Sequence, residues 1–277
     1  MNYKAALDVF VQSGKDFAIV YRSAKQAASV SRILVLDSSF NPPHMAHFTL
    51  AKEAIDHDFG DARAHPELSE LPKMLLLLLS VKNADKVVPK PALFDHRLAM
   101  MHRMASSLES LELPVAIGLT KHAKFADKSA AIQAHCSVEP QANYASARLT
   151  FLLGFDTLIR VLDPKYYAPA SLVDSLNDFM YNTDLFCLTR ADTGEEFDQQ
   201  QNYIGRIARG EFPDIPRLWA RNIILTSVQT ARESIGFISS SAIRQAYATG
   251  AVAQSPPLLK EVDEYIRSND LYSEDTT

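Results

Sequence analysis

Short, almost wholly apolar runs alternate along this chain with longer stretches that are apolar at helical spacing. The runs fall at residues 33–36, 73–80, 115–119, 148–155, 184–189 and 222–226. The second run carries five consecutive leucines, which cannot alternate between core and solvent. Such a strand has to be covered on both faces, as in a parallel sheet. Between the runs, the spacing predicts helices at about 44–55, 94–108, 125–136, 171–180 and 197–209. Pro43 is expected to open the first of these helices, because the N–H that proline lacks is not needed there. A short helix capped by Asp156, one opening at residues 238–244 and a last one behind Pro256 and Pro257 complete the pattern. Residues 3–12 and 17–28 mix apolar and polar positions (Leu7, Val9, Phe10; Phe17, Ile19, Val20, Ala24, Ala27) and predict two further short helices. Residues 56–72 turn polar and read as a loop.

Strands alternating with helices predict an α/β fold with a doubly wound parallel sheet. No linker divides the chain, so it reads as one domain over residues 1–277. Within it, residues 1–30 form an N-terminal helical extension and residues 238–277 a helical C-terminal part. Ligands in such sheets bind at the carboxyl ends of the strands, where the strand order reverses.

Composition narrows the class. At 277 residues and 47% hydrophobic, the chain can bury a large core. Its longest wholly apolar run, 74–79, is too short to span a membrane, and Lys4, Asp8, Lys15 and Asp16 interrupt any apolar leader. Two cysteines, Cys136 and Cys187, make no disulfide framework and point to a reducing compartment. The net charge is −5 and no dense basic run occurs, so no nucleic-acid footprint is visible. The expectation is a soluble intracellular protein without nucleic-acid or membrane partners.

The candidate chemistry follows the first run. A loop of small residues and proline, Asp37 to Pro43, leads into His44 and His47, three residues apart and so on one helix face. The first turn of a helix offers unpaired N–H groups and the positive end of the dipole, which suit a phosphate. Two imidazoles without a nearby carboxylate or thiolate are too few for zinc. At the far end of the chain, Ser239, Ser240 and Ser241 precede Arg244 at another helix start. One serine is accounted for by capping; three hydroxyls with an arginine one turn on also make a polyphosphate cradle. Gly154-Phe155-Asp156 is a strand-end turn that puts a carboxylate at a helix start. Tyr166 and Tyr167 suit either the core or stacking on a flat ring. Arg97 and Arg190 lie near strand ends, and Lys82 and Lys86 read as a solvated rim that would draw in an anion.

Ser38-Ser39-Phe40-Asn41-Pro42-Pro43-His44-Met45-Ala46-His47 resembles the nucleotidyltransferase signature Gly-Ser/Thr-Phe-(Asn/Asp)-Pro-x-(His/Thr)-x-x-His. Ile238 through Arg244 resembles its partner signature, Ile-Ser-Ser-Thr-x-Ile-Arg. Gly154-Phe155-Asp156-Thr157-Leu158 is similar to the Gly-x-Asp segment of nicotinamide or nicotinate mononucleotide adenylyltransferases. Ser80-Val81-Lys82-Asn83-Ala84, Arg97 and Thr189-Arg190 fit the order of that group. The likeness covers residues 33 to 248 and is to a divergent, fungal-type branch. Ser38 stands where that family usually has glycine, and its ring-stacking tryptophan has no equivalent, since Trp219, the sole tryptophan, lies elsewhere.

The resemblance implies a Rossmann-like nucleotidyltransferase fold and adenylyl transfer from ATP to nicotinamide or nicotinate mononucleotide, in the cytoplasm or nucleus. It implies His44, His47 and Arg244 as catalytic residues, with Ser38, Ser39, Phe40, Ser239, Ser240, Ser241 and Arg244 around the ATP phosphates. Phe40, Asn41, Lys82, Asn83, Arg97, Gly154, Asp156, Tyr166, Tyr167 and Arg190 would meet the mononucleotide. Magnesium would arrive on the ATP phosphates and not in a protein cage. Two alternatives stay open at this point: another phosphorylated acceptor, such as phosphopantetheine, or a nucleotide-binding regulatory protein without turnover. An ATP-hydrolysing reading also stays open, though no Walker A glycine-lysine loop occurs in the sequence.

Overall fold

The computed structural model describes residues 2–60, 71–81, 91–138, 144, 146–189, 193–228 and 235–273. The six apolar runs become six parallel strands: β2 (Arg32–Asp37), β3 (Lys73–Ser80), β4 (Val115–Thr120), β5 (Arg148–Gly154), β6 (Thr183–Leu188) and β7 (Ile223–Thr226). A seventh strand, β1 (Phe17–Arg22), pairs antiparallel with β4 at one edge. The sheet order is β1-β4-β3-β2-β5-β6-β7. The expected helix over 17–28 is therefore wrong, although the helix before it, α1 (Tyr3–Gln12), forms. Ile19, Val20 and Tyr21 are β-branched or aromatic and favour a pleated surface. With one neighbouring strand, the run is only half-buried, and its pattern imitates helical spacing.

Alternate residues of the central strands feed two cores. Leu34 and Leu36 of β2, with Leu75, Leu77 and Leu79 of β3, pack under Phe10 of α1, α2 (Met45–Asp56) and α3 (Phe94–Glu109). Ile33, Val35, Leu76 and Leu78 face α4 (Phe125–Val138), α5 (Phe155–Val161), α6 (Leu172–Asn182) and α7 (Gly194–Arg209). Each fully buried leucine contributes about 1.5–3 kcal/mol, which explains why the leucine run has no polar face. A third, smaller core joins Met100 of α3 to α8 (Ser240–Ala248) and α9 (Lys260–Ser268) and takes in Tyr272. Among the described residues no helix is long and apolar enough to cross a membrane.

The chain runs outward from β2 through β3 to β4, then crosses back to place β5 on the other side of β2. That reversal opens a crevice at the carboxyl ends of β2 and β5, where the Asp37–His44 and Gly154–Asp156 segments emerge. At the opposite end of the sheet, Asp184 binds buried Arg32 and accepts from Arg148 Nε and Nη2, both at 2.8 Å. Burial works to raise the Asp184 pKa, but hydrogen bonds from Arg148 and Arg32 outweigh it and hold the carboxyl below its usual range. Its stabilisation is then complete above the ordinary carboxylate pKa of about 4 and is lost as the pH falls through the depressed value. Asp184→Asn is expected to cost about 3–5 kcal/mol at neutral pH by taking the carboxylate from Arg32. Thermal melts from pH 3 to 7 would show the wild type losing this advantage in acid while the variant changes less.

Candidate active site

The segment after β2 does not open its helix at Pro43, as its sequence suggests. Helix α2 begins at Met45, and His44 is the N-cap with extended backbone. His47 is the third helical residue, and its Nδ1 accepts the His44 amide N–H at 3.1 Å. It thus takes the part that glutamate or glutamine plays in a capping box. With Nδ1 accepting, the neutral ring carries its proton on Nε2, which donates to Ser38 Oγ at 2.8 Å. Desolvation of the ring lowers the His47 pKa to about 4, so the imidazole is neutral at physiological pH. The His44 ring stacks on it with centroids 3.8 Å apart and planes 26° off parallel.

Ser38 explains its own presence where a glycine is usual in the resembled signature. Its backbone is not left-handed; that conformation falls instead on Phe40, with φ at 44°. A glycine at 38 would offer His47 no acceptor. Phe40 holds a conformation that non-glycine residues rarely adopt, and its ring is fully buried, 5.3 Å from His47. Only its backbone can therefore meet a ligand.

The far end of the chain docks onto this loop. Ser239 is the N-cap of α8, and Ser240 Oγ donates to the Pro42 carbonyl at 3.0 Å. Buried Arg244 donates from Nη1 to the Asn41 carbonyl (2.8 Å) and from Nη2 to exposed Ser241 Oγ (3.3 Å). Its Nε is buried without a partner among the described residues. The Asn41 side chain is occupied as well: Oδ1 accepts from the Ala92 amide (3.1 Å) and the Tyr272 hydroxyl (2.8 Å). Arg97 is buried and donates from Nε to the Ala92 carbonyl at 2.8 Å. Burial lowers both guanidinium pKa values, and Arg244 lowers that of Arg97 further, yet each stays charged.

The remaining candidates sit as follows. Gly154, not Asp156, occupies the N-cap of α5, and exposed Asp156 follows in its first turn. The cap position expected of Asp156 therefore falls to Gly154. Tyr166 is 51% exposed, on a short 3-10 turn beside Lys165. Tyr167 is half-buried, packs on the core and donates its hydroxyl to the Val161 carbonyl at 2.8 Å. Lys82, Lys86, Asn83 and Arg190 lie outside the described residues. Three residues that the sequence did not single out also belong here: Tyr272, and the pair Asp37–Lys128, joined at 2.5 Å in the wall beside Ser38. Burial raises the Asp37 pKa, while Lys128 pulls it down. No spacing rule marks any of the three. Among the described residues, no group of three or more His, Cys, Asp or Glu side chains converges as a metal cage would.

The chain is 36% identical over 250 residues to a Schizosaccharomyces pombe protein named "Putative nicotinamide mononucleotide adenylyltransferase", a match covering 90% of this chain and 88% of the relative. The chain belongs to the nicotinamide mononucleotide adenylyltransferase family. No protein-family model matches it. Two solved structures of Plasmodium falciparum nicotinic acid mononucleotide adenylyltransferase, complexed with NaAD and with APC, are similar at 14% identity and a TM-score of 0.48, over 87% of this chain and 97% of each of theirs. In this member of the adenylyltransferase family, the two signature segments, two hundred residues apart in sequence, are bonded to one another through Pro42, Asn41, Ser240 and Arg244.

Proposed function

We propose that this protein transfers the adenylyl group of ATP to nicotinamide or nicotinate mononucleotide, releasing pyrophosphate. The observation that carries the reading is the junction of the two signatures, which sets the His44–His47 stack and the Arg244 guanidinium around one loop. A phosphate oxygen of the mononucleotide bonds to the α-phosphorus of ATP, and the bond from that phosphorus to the bridging oxygen breaks. The electron pair leaves with pyrophosphate. No protein nucleophile is required, so the side chains work by positioning and by stabilising charge.

His47 would turn its Nε2–H from Ser38 to a phosphoryl oxygen of ATP, with the stacked His44 beside it. Arg244 and the hydroxyls and amides at the start of α8 would hold the polyphosphate. Asp156, in the first turn of α5, would bind the ribose or ring of the mononucleotide. Magnesium, carried on phosphate oxygens, would neutralise part of the charge on pyrophosphate. The test is a coupled assay for NAD formation from ATP and nicotinamide mononucleotide, run beside nicotinate mononucleotide and phosphopantetheine. Dinucleotide formation with a pyridine mononucleotide is expected. ATP binding without pyrophosphate release with any of the acceptors would overturn the reading.

A further inference from the structure

A polar cavity of about 120 Å³ opens beside Ser38 and Ser39, walled by Asp37, Ser80, Arg97 and Lys128. Among the described residues, its two cations have more N–H donors than they have acceptors. The Lys128 side chain is only 4% exposed, and Nζ donates to Asp37 Oδ2 at 2.5 Å. An ammonium has three N–H groups, and among the described residues the other two meet no protein acceptor. Arg97 is 3% exposed and uses Nε on the Ala92 carbonyl; its two terminal nitrogens have no acceptor among the described residues. The Phe94 ring centroid lies 4.7 Å from that guanidinium. Cationic donors that line a cavity and meet no acceptor among the described residues suit an anion, and the oxygens of a phosphate can accept from several of them at once. The cavity equals roughly four water volumes at about 30 Å³ each, enough for a phosphate group but not for a nucleoside.

We propose that Lys128, held in place by Asp37, joins Arg97 in binding the phosphate monoester of the acceptor. The inference rests on the adenylyl-transfer reading for the identity of that acceptor. Asp37 cancels one of the two positive charges and fixes the ammonium at the wall. The subsite keeps a net positive charge and takes phosphorylated acceptors in preference to the parent nucleosides. Placed next to Ser38, it would hold the attacking phosphate against the same loop to which His47 and Arg244 are bonded.

Steady-state kinetics with Lys128→Met and Lys128→Arg test the assignment, with ATP and nicotinamide mononucleotide varied separately. The expected result is a rise of at least tenfold in KM for the mononucleotide in K128M. KM for ATP should stay within twofold, and K128R should recover most of the loss. A KM for the mononucleotide that K128M leaves unchanged would overturn the assignment, as would equal rises in both KM values. Since K128M strands the Asp37 carboxylate, the double variant Asp37→Asn/Lys128→Met removes the pair together and keeps the measurement possible if the single variant unfolds. Calorimetry with inorganic phosphate reads the subsite without turnover: the wild type should bind, and the double variant at least tenfold more weakly. Phosphate binding that depends on Lys128, without dinucleotide formation, would sink the proposed reaction and keep the subsite. Dinucleotide formation with phosphate binding indifferent to Lys128 would sink the subsite alone. A wild type that neither binds phosphate nor forms dinucleotide would overturn both.

Discussion

Replacing His47 with alanine is expected to lower kcat for dinucleotide formation by about 10²–10³-fold, the usual cost of losing one preorganised donor to developing charge. His47 has two jobs, and they can be separated. Its Nδ1 accepts the His44 amide and caps α2, while its Nε2–H is the donor directed at Ser38 and, in the proposed reaction, at phosphate. Alanine removes both and should also cost about 1 kcal/mol of stability, as loss of a cap does. Glutamine at this third helical position can reach back to the N-cap amide but offers no ring donor at the same place. His47→Gln should therefore restore the melting temperature and leave the rate depressed. A glutamine enzyme that turns over at the wild-type rate would show that the ring matters only as a cap.

The second large effect is expected at Arg244. Its guanidinium is buried and reaches the Asn41 carbonyl and Ser241 Oγ with two different nitrogens. Arg244→Ala should reduce kcat/KM for ATP by about 10²–10³-fold, because charge near the transferring phosphates and the docking of α8 are lost together. Arg244→Lys separates these contributions. Lysine keeps the charge but has no planar fork, so it cannot serve the carbonyl and the phosphates at once. The lysine enzyme should sit between the two, roughly tenfold below the wild type, with about 1–3 kcal/mol lost for the unmade hydrogen bond. Rates and melting temperatures measured on the same preparations would decide it. A lysine enzyme indistinguishable from alanine would mean that geometry, and not charge, is what Arg244 supplies.

Much of this architecture was legible from residue patterns. Five leucines in a row can only be a strand buried on both faces, and β3 is one. The two signatures were visible because each is continuous in sequence. What escaped was whatever depends on distant partners. β1 finds its pairing in β4, about a hundred residues on, and its six residues carry no signal strong enough to reject a helix. The start of α2 was placed early because Pro43 suits a first helical position, whereas His44 takes the cap and the helix begins behind it. Asp156 looked like a cap for the same local reason, and Gly154 has that position. Lys128 lies in an alanine-rich, polar helix where a lysine reads as solvated; only the fold brings it to Asp37, 91 residues away. The Ser38 departure from the glycine pattern is intelligible only once His47 is seen to bond to it.

The Tyr272 hydroxyl on Asn41 bears on how the molecule is made. Asn41 is held by Ala92, Arg244 and Tyr272, and the last of these contacts joins residues 231 apart. A ribosome delivers the His44–His47 stack early, when neither Arg244 nor Tyr272 has yet been synthesised. The parallel sheet can begin to form around it, but the loop has only its Ala92 contact until Arg244 and then Tyr272 have emerged. A chain released before that point would carry the histidines without the Arg244 and Tyr272 contacts to their loop, so the junction of the two signatures is completed only late in synthesis.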